Sequence, residues 1–192
     1  MLFRSFHDRV GPLPGVPFIY QGEELALTDG YVPPEKWADP VVKHTKDPRH
    51  SRDGCRTPML WEPVEGWGFT TAAEPWLPFG DRRAEESVAY QVDDPDSYLH
   101  RYRALIRLRN SEPDLHQGEF EWLTHQGPFL AYRRGGFTVV ANGGDAAGLF
   151  SLPEGRWQIA FSTDRQAEGT TVSGDLQLEP AEALMLRAAM GS

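Results

Sequence analysis

Leu13-Pro14-Gly15-Val16-Pro17-Phe18-Ile19-Tyr20-Gln21-Gly22-Glu23-Glu24-Leu25 is the stretch on which the fold of this 192-residue chain turns. Leu-Pro-Gly opens it as a turn. Val16 to Tyr20 then forms an apolar, aromatic run too short for a helix and bounded by turn residues, which reads as a buried strand. Gln21-Gly22-Glu23-Glu24 is its exit. Such a run is also far too short to cross a bilayer. Upstream, residues 1–14 show no clean period. Arg4, Asp8 and Arg9 lie where a signal peptide needs an apolar stretch. The expectation is a cytoplasmic protein with no membrane partner.

Downstream of the run, residues 28–94 carry many Pro, Gly and Asp residues and four tryptophans, Trp37, Trp61, Trp67 and Trp76. No sustained period runs through them. A loop this long inside a domain is usually functional or disordered, and the aromatic content argues against disorder. The tryptophans are read as the segment's own small core, rather than as stacking platforms for a ligand. Asp94-Pro95 then opens the clearest helix, with Asp94 as N-cap and Pro95 in the first position. Tyr98, Leu99, Tyr102, Leu105 and Ile106 keep helical spacing and define its buried face, packed on the C-terminal third of the chain or on Val16–Tyr20. Asn110 and Pro113 end it.

From Gly118 the texture changes to short strands, expected at 119–123, 129–134, 137–141, 148–152, 157–162, 174–178 and 183–186. Arg134-Gly135-Gly136-Phe137 is a hairpin signal. Seven short strands separated by turns point to an antiparallel β-sandwich. The domain division falls at 117/118, giving segments 1–117 and 118–192.

Lys and Arg number 19 against 28 Asp and Glu, a formal net charge of −9. That balance argues against nucleic acid, whose affinity comes mostly from neutralising phosphates, but says little about neutral ligands. The single cysteine, Cys55, excludes an internal disulfide and fits a reducing compartment. It has no neighbouring His or second Cys and is read as a small buried residue. The histidines show no metal-ligand spacing, and no cofactor is expected.

Several of these segments resemble the α-amylase superfamily of glycoside hydrolases, in its α-glucosidase and oligo-1,6-glucosidase branch. Leu13 to Leu25 is similar to the eighth barrel strand. Ser51-Arg52-Asp53-Gly54-Cys55-Arg56-Thr57-Pro58-Met59-Leu60-Trp61 is similar to a specific loop motif, continued by Gly68-Phe69-Thr70 and Glu74-Pro75-Trp76-Leu77-Pro78. Asp94 to Asp114 resembles the eighth barrel helix, with its Leu108-Arg109 to Pro113 signature. Leu178-Glu179-Pro180-Ala181-Glu182-Ala183 resembles the close of the C-terminal β-domain. The resemblance implies an α+β chain: the last strand, loop and helix of a (β/α)8 barrel, followed by the antiparallel sandwich. The barrel alone takes about 250 residues. The chain is therefore expected to be a truncated member lacking the first seven strand–helix units.

The resemblance implies a retaining α-glucosidase, which needs a nucleophile and a general acid about 5–5.5 Å apart. In the family both sit on earlier strands, and no segment here resembles those strands, so no catalytic residue is assigned. His7-Asp8 resembles the pair that carries the family's third carboxylate. Only six residues separate it from Gly15, where a parallel crossover needs about a dozen or more, so the pair is read as coincidental. The loop motif implies that Arg52 or Arg56 binds the terminal glucose, and both are candidate substrate-binding residues. A guanidinium offers a fixed fork of donors suited to sugar hydroxyls. In the relatives its partner is an Asp from an early strand, absent here. Glu23 and Glu24 are read as structural.

Four functions are compatible with these residues: a truncated, non-hydrolytic relative; one half of a split α-glucosidase whose upstream barrel fragment is a separate polypeptide; a free-standing carbohydrate-binding β-module; or a protein-interaction module. The partners to expect are α-glucosides or oligosaccharides, and an upstream fragment or a second copy of the chain.

Overall fold

The computed structural model describes residues 14–189. His7-Asp8 lies outside them. Two compact units are present, one over 19–100 and one formed by the residues from Arg101 onward together with 14–18.

The first unit is mostly irregular, as its Pro, Gly and Asp content demands. Short helices α1 (Pro40–Thr45) and α2 (Val88–Asp93) stand among single 3-10 turns. Its core is aliphatic: Leu25, Val32, Val42, Leu60, Leu77 and Leu99 are buried. The tryptophans do not form it. Trp61 and Trp76 are exposed, and Trp37 is half-buried with its indole donating to Val32 O at 3.1 Å. In place of regular ladders, side chains tie distant backbone together. The Arg82 guanidinium donates to Phe79 O at 2.9 Å, Thr28 O at 3.0 Å and Thr57 Oγ1 at 3.1 Å. Gln91, which is buried, donates to Leu25 O at 2.9 Å and accepts the Leu99 amide at 3.1 Å.

Helix α3 covers Tyr98–Ser111. It starts later than Asp94, because Asp94 closes only a local turn, accepting the Asp96 amide at 2.9 Å. Ser97 takes the capping role and accepts the His100 amide at 3.3 Å. Leu99, Tyr102 and Leu105 are buried, but Ile106 is 42% exposed and does not belong to the packed face. The signature arginine, Arg109, donates to Leu115 O at 2.6 Å and to Gly15 O at 3.2 Å. It thereby holds the short helix α4 (Asp114–Gln117) and the start of the described chain to α3.

The second unit carries two antiparallel sheets. The larger has the order β1-β2-β3-β8-β5-β6 and the smaller pairs β4 with β7. The strands are β1 Phe120–Thr124, β2 Phe129–Arg134, β3 Phe137–Asn142, β4 Gly148–Ser151, β5 Trp157–Ser162, β6 Thr171–Val172, β7 Asp175–Leu178 and β8 Ala183–Ala188. The expected seven are present, and β6 is additional. One face of the larger sheet, with Ala131, Val140, Leu184 and Leu186, packs with Leu178, Phe150 and Leu176 of the smaller sheet. Its other face, with Tyr132, Val139 and Met185, packs with Leu105 of α3 and Leu115 of α4. Strand residues alternate between the two clusters with period two. β5 breaks that alternation. Ile159 pairs with Leu186 and Phe161 with Met185, so Ala160 is an extra residue. The bulge carries Phe161 to the helix-covered face, away from Ile159. At the β2–β3 turn, Gly135 has φ +52°, and a Cβ there would lie 2.5 Å from Asp114 Cγ.

Against expectation, Val16–Tyr20 is neither a strand nor buried: Val16 is 77% and Phe18 86% exposed. A strand exists only with a partner ladder, and among the described residues none lies alongside it.

Candidate functional site

The motif loop is closed by two aspartates, each of which accepts backbone amides from the other end of the loop. Asp53, fully buried, accepts the Ala38 amide at 2.9 Å and the Asp39 amide at 2.9 and 3.1 Å. Asp39, 1% exposed, accepts the Arg52 amide at 3.1 Å in return. The excursion from 38 to 53 is thus pinned at both ends. Local sequence prepares this. Asp39 is extended and caps α1 through the Val41 amide at 2.9 Å, with Pro40 in the first helical position. Lys46 ends α1 at φ +59°, and Asp47-Pro48 starts the next 3-10 turn.

The pinning places both candidate arginines on one carboxylate. Arg52 Nε donates to Asp39 Oδ2 at 3.0 Å, and Arg56 Nη1 stands 3.8 Å from the same oxygen. The Arg52 hydrogen bond, with the Val41 and Arg52 amides, holds the Asp39 carboxyl down at about 2. Asp39 in turn raises the Arg52 pKa, so both stay charged. The two arginines are not equivalent. Arg52 is fixed through both its amide and its Nε, and its side chain is 61% exposed. Arg56 is at ion-pair distance without a hydrogen bond to Asp39 and is 33% exposed, so its fork of donors is held near a counter-charge but uncommitted.

Asp39 is the member that sequence reading missed. The structure places an aspartate thirteen residues before Arg52 against its guanidinium. The available signal was Asp39-Pro40, a helix-start dipeptide that reveals the cap but not the arginine. Cys55 is half-buried rather than buried, and its thiol donates to Arg52 O at 3.1 Å. Glu23 accepts the Tyr20 amide at 3.0 Å and Glu24 the Gly22 amide at 2.9 Å, both local turn contacts. Gln21 donates to Thr57 O at 3.4 Å, joining this exit to the motif loop. Among the described residues no cluster of three or more His, Cys, Asp or Glu side chains is arranged to hold a metal ion. No helix among them is long and apolar enough to cross a membrane.

The described residues thus carry a carboxylate-anchored arginine pair on an irregular loop, in a chain that continues into a helix and two antiparallel sheets. The chain belongs to the alpha-amylase family: the family of the alpha-amylase catalytic domain matches residues 10–118. It is 41% identical over 122 residues to a probable alpha-glucosidase of Rhizobium meliloti, covering 64% of this chain and 22% of that protein. It is 32% identical over 179 residues to an oligo-1,6-glucosidase of Heyndrickxia coagulans, covering 81% of this chain and 32% of that protein. Among solved structures, an alpha-glucosyl transfer enzyme, XgtA, superposes with a TM-score of 0.84 at 28% identity, covering 98% of this chain and 36% of the other. The trehalulose synthase MutB of Pseudomonas mesoacidophila MX-45 superposes with a TM-score of 0.83 at 25% identity, covering 97% and 38%. The chain therefore spans between a fifth and two fifths of the length of these relatives.

Proposed function

We propose that this chain is the C-terminal part of an α-glucosidase-like glycoside hydrolase, in which residues 1–117 complete a barrel and 118–192 form the appended β-domain. The match of the catalytic-domain family over 10–118 supports that division. The observation that carries the reading is the Asp39–Arg52–Arg56 constellation inside the motif loop. Arg56 is the sugar-binding donor, because its guanidinium is oriented by a counter-charge but not consumed by hydrogen bonds. Arg52 holds Asp39 and hence the loop. The sugar assigned to Arg56 is an α-linked glucose, a reading supported by similarity to a probable alpha-glucosidase and an oligo-1,6-glucosidase. A single free cysteine supports a reducing, cytoplasmic setting.

Hydrolysis with retention requires two carboxyls flanking the glycosidic bond, one attacking the anomeric carbon and the other protonating the leaving oxygen. The two buried aspartates of the loop are committed to backbone amides and to Arg52, so neither is available for that work. The 192-residue chain alone is expected to release no p-nitrophenol from p-nitrophenyl α-glucoside. Mixing it with the polypeptide encoded directly upstream should generate activity. In that mixture Arg56→Ala should lose about 1.5–3 kcal/mol of charged hydrogen bonding, roughly ten- to a hundredfold in kcat/KM. Turnover by the isolated chain that vanishes in Asp8→Asn or Asp53→Asn, with the fold intact by circular dichroism, overturns the reading.

A further inference from the structure

The tripeptide Gly66-Trp67-Gly68 has positive φ throughout, +67°, +53° and +64°. Glycine takes such angles freely, but a bulky aromatic does so only under strain that its surroundings enforce. Here the backbone enforces it. The Trp67 amide donates to Val64 O at 2.9 Å, and its carbonyl accepts the Trp61 amide at 2.9 Å and the Glu62 amide at 3.1 Å. The turn fixes the indole 6.5 Å from the Phe79 ring, tilted by 44°, and Phe69 meets Phe79 edge-on at 6.3 Å. Trp67 and Phe79 line an open cavity of about 670 Å³, whose walls include Pro63, Thr70, Thr71 and Glu65. That volume lies within the range of about 300–1,000 Å³ for small-molecule sites.

The lining selects the ligand. Aromatic and proline surfaces suit the C–H faces of a pyranose ring. The two threonine hydroxyls and the Glu65 carboxylate supply donors and acceptors for ring hydroxyls. Thr70 Oγ1 accepts only the Ala72 amide, at 3.0 Å, which leaves its proton for a ligand. No Lys, Arg or His lines the cavity, so nothing in it favours a phosphate or carboxylate. Strain held at a point where an indole faces a cavity is the kind of outlier that marks a binding surface.

We propose that this cavity is a second binding site for neutral sugars, distinct from the Asp39–Arg52–Arg56 constellation. The choice of α-linked glucose as the sugar rests on the function proposed above; the site itself rests on the cavity and on Trp67. The test is titration of the 192-residue chain with maltose and with isomaltose, read by calorimetry and by saturation-transfer NMR. Trp67→Asn is the informative variant, since asparagine tolerates positive φ and the fold should survive while the platform is lost. The expected result is saturable binding by the unmodified chain, weakened at least about tenfold in Trp67→Asn and unchanged in Ile106→Ala, a substitution at an exposed position of α3. Thr71→Val, at an exposed lining position, should weaken binding independently and carries the test if Trp67→Asn fails to fold. Absence of saturable binding overturns the proposal, as does binding that persists in Trp67→Asn or that disappears only in Arg56→Ala. No binding beside restored hydrolysis in the two-polypeptide mixture sinks the cavity alone. Binding lost in Trp67→Asn, without restored hydrolysis, supports the cavity and sinks the function proposed above.

Discussion

Asp39 is almost wholly enclosed and still ionised, because its oxygens meet two amides and a guanidinium. Its folded pKa of about 2 lies below the ordinary value of 3.8. A depressed carboxyl contributes stability that is complete above the unfolded pKa and is lost as pH falls through the folded one. The unfolding temperature should therefore decline from roughly pH 4 toward pH 2 with a component that Asp39→Asn removes. Thermal melts of both proteins across that interval check it. Parallel curves would mean that Asp39 is not held as the geometry indicates. At neutral pH Asp39→Asn should also melt earlier, because Arg52 loses its charged acceptor. That Arg52 and Arg56 lie within one loop motif was legible in the sequence. Asp39 was not, since its tie to Arg52 exists only after the 38–53 excursion has closed.

Helix α3 shows what spacing decides and what it leaves open. Leu105 and Ile106 both satisfy the i+3, i+4 relation to Tyr102, so periodicity alone admits both to the buried face. The structure admits only Leu105, which packs with Tyr132, Val139 and Phe161 on the sheet. Leu105→Ala should cost about 2–5 kcal/mol through transfer and cavity terms. Ile106→Ala should stay within about 0.5 kcal/mol, as surface substitutions usually do. Denaturant midpoints of the two variants measure this directly, and equal losses would put Ile106 back on the packed face. Among the strands, those of four or more residues announced themselves by apolar content and turn signals. β6, two residues long, carries no period to read. The β5 bulge was equally silent, because one extra residue changes the face of Phe161 without altering the composition around it.

For the whole chain, the antiparallel sheets were legible because each strand finds its partner within the same polypeptide. Val16–Tyr20 has a comparable apolar pattern but no ladder among the described residues, so the same signal yields an exposed extended segment. Sequence pattern reports what a segment could pair with; the outcome depends on whether the partner is there. An exposed run with Val16, Phe18, Ile19 and Tyr20 all facing water is a template for strand pairing with another chain. Pro17 removes one donor and leaves the others. The isolated chain is therefore expected to self-associate through this run when no upstream polypeptide occupies it, burying about 1,000 Å² or more if the contact is stable. Light scattering over a concentration series should show mass rising above that of a 21.6 kDa monomer. Phe18→Lys, placed at the most exposed of these side chains, should return the mass to the monomer by setting a charge where two apolar edges would meet. If the unmodified chain stays monomeric at high concentration, or if Phe18→Lys associates equally well, the run is not the contact, and its exposed side chains carry no drive for pairing.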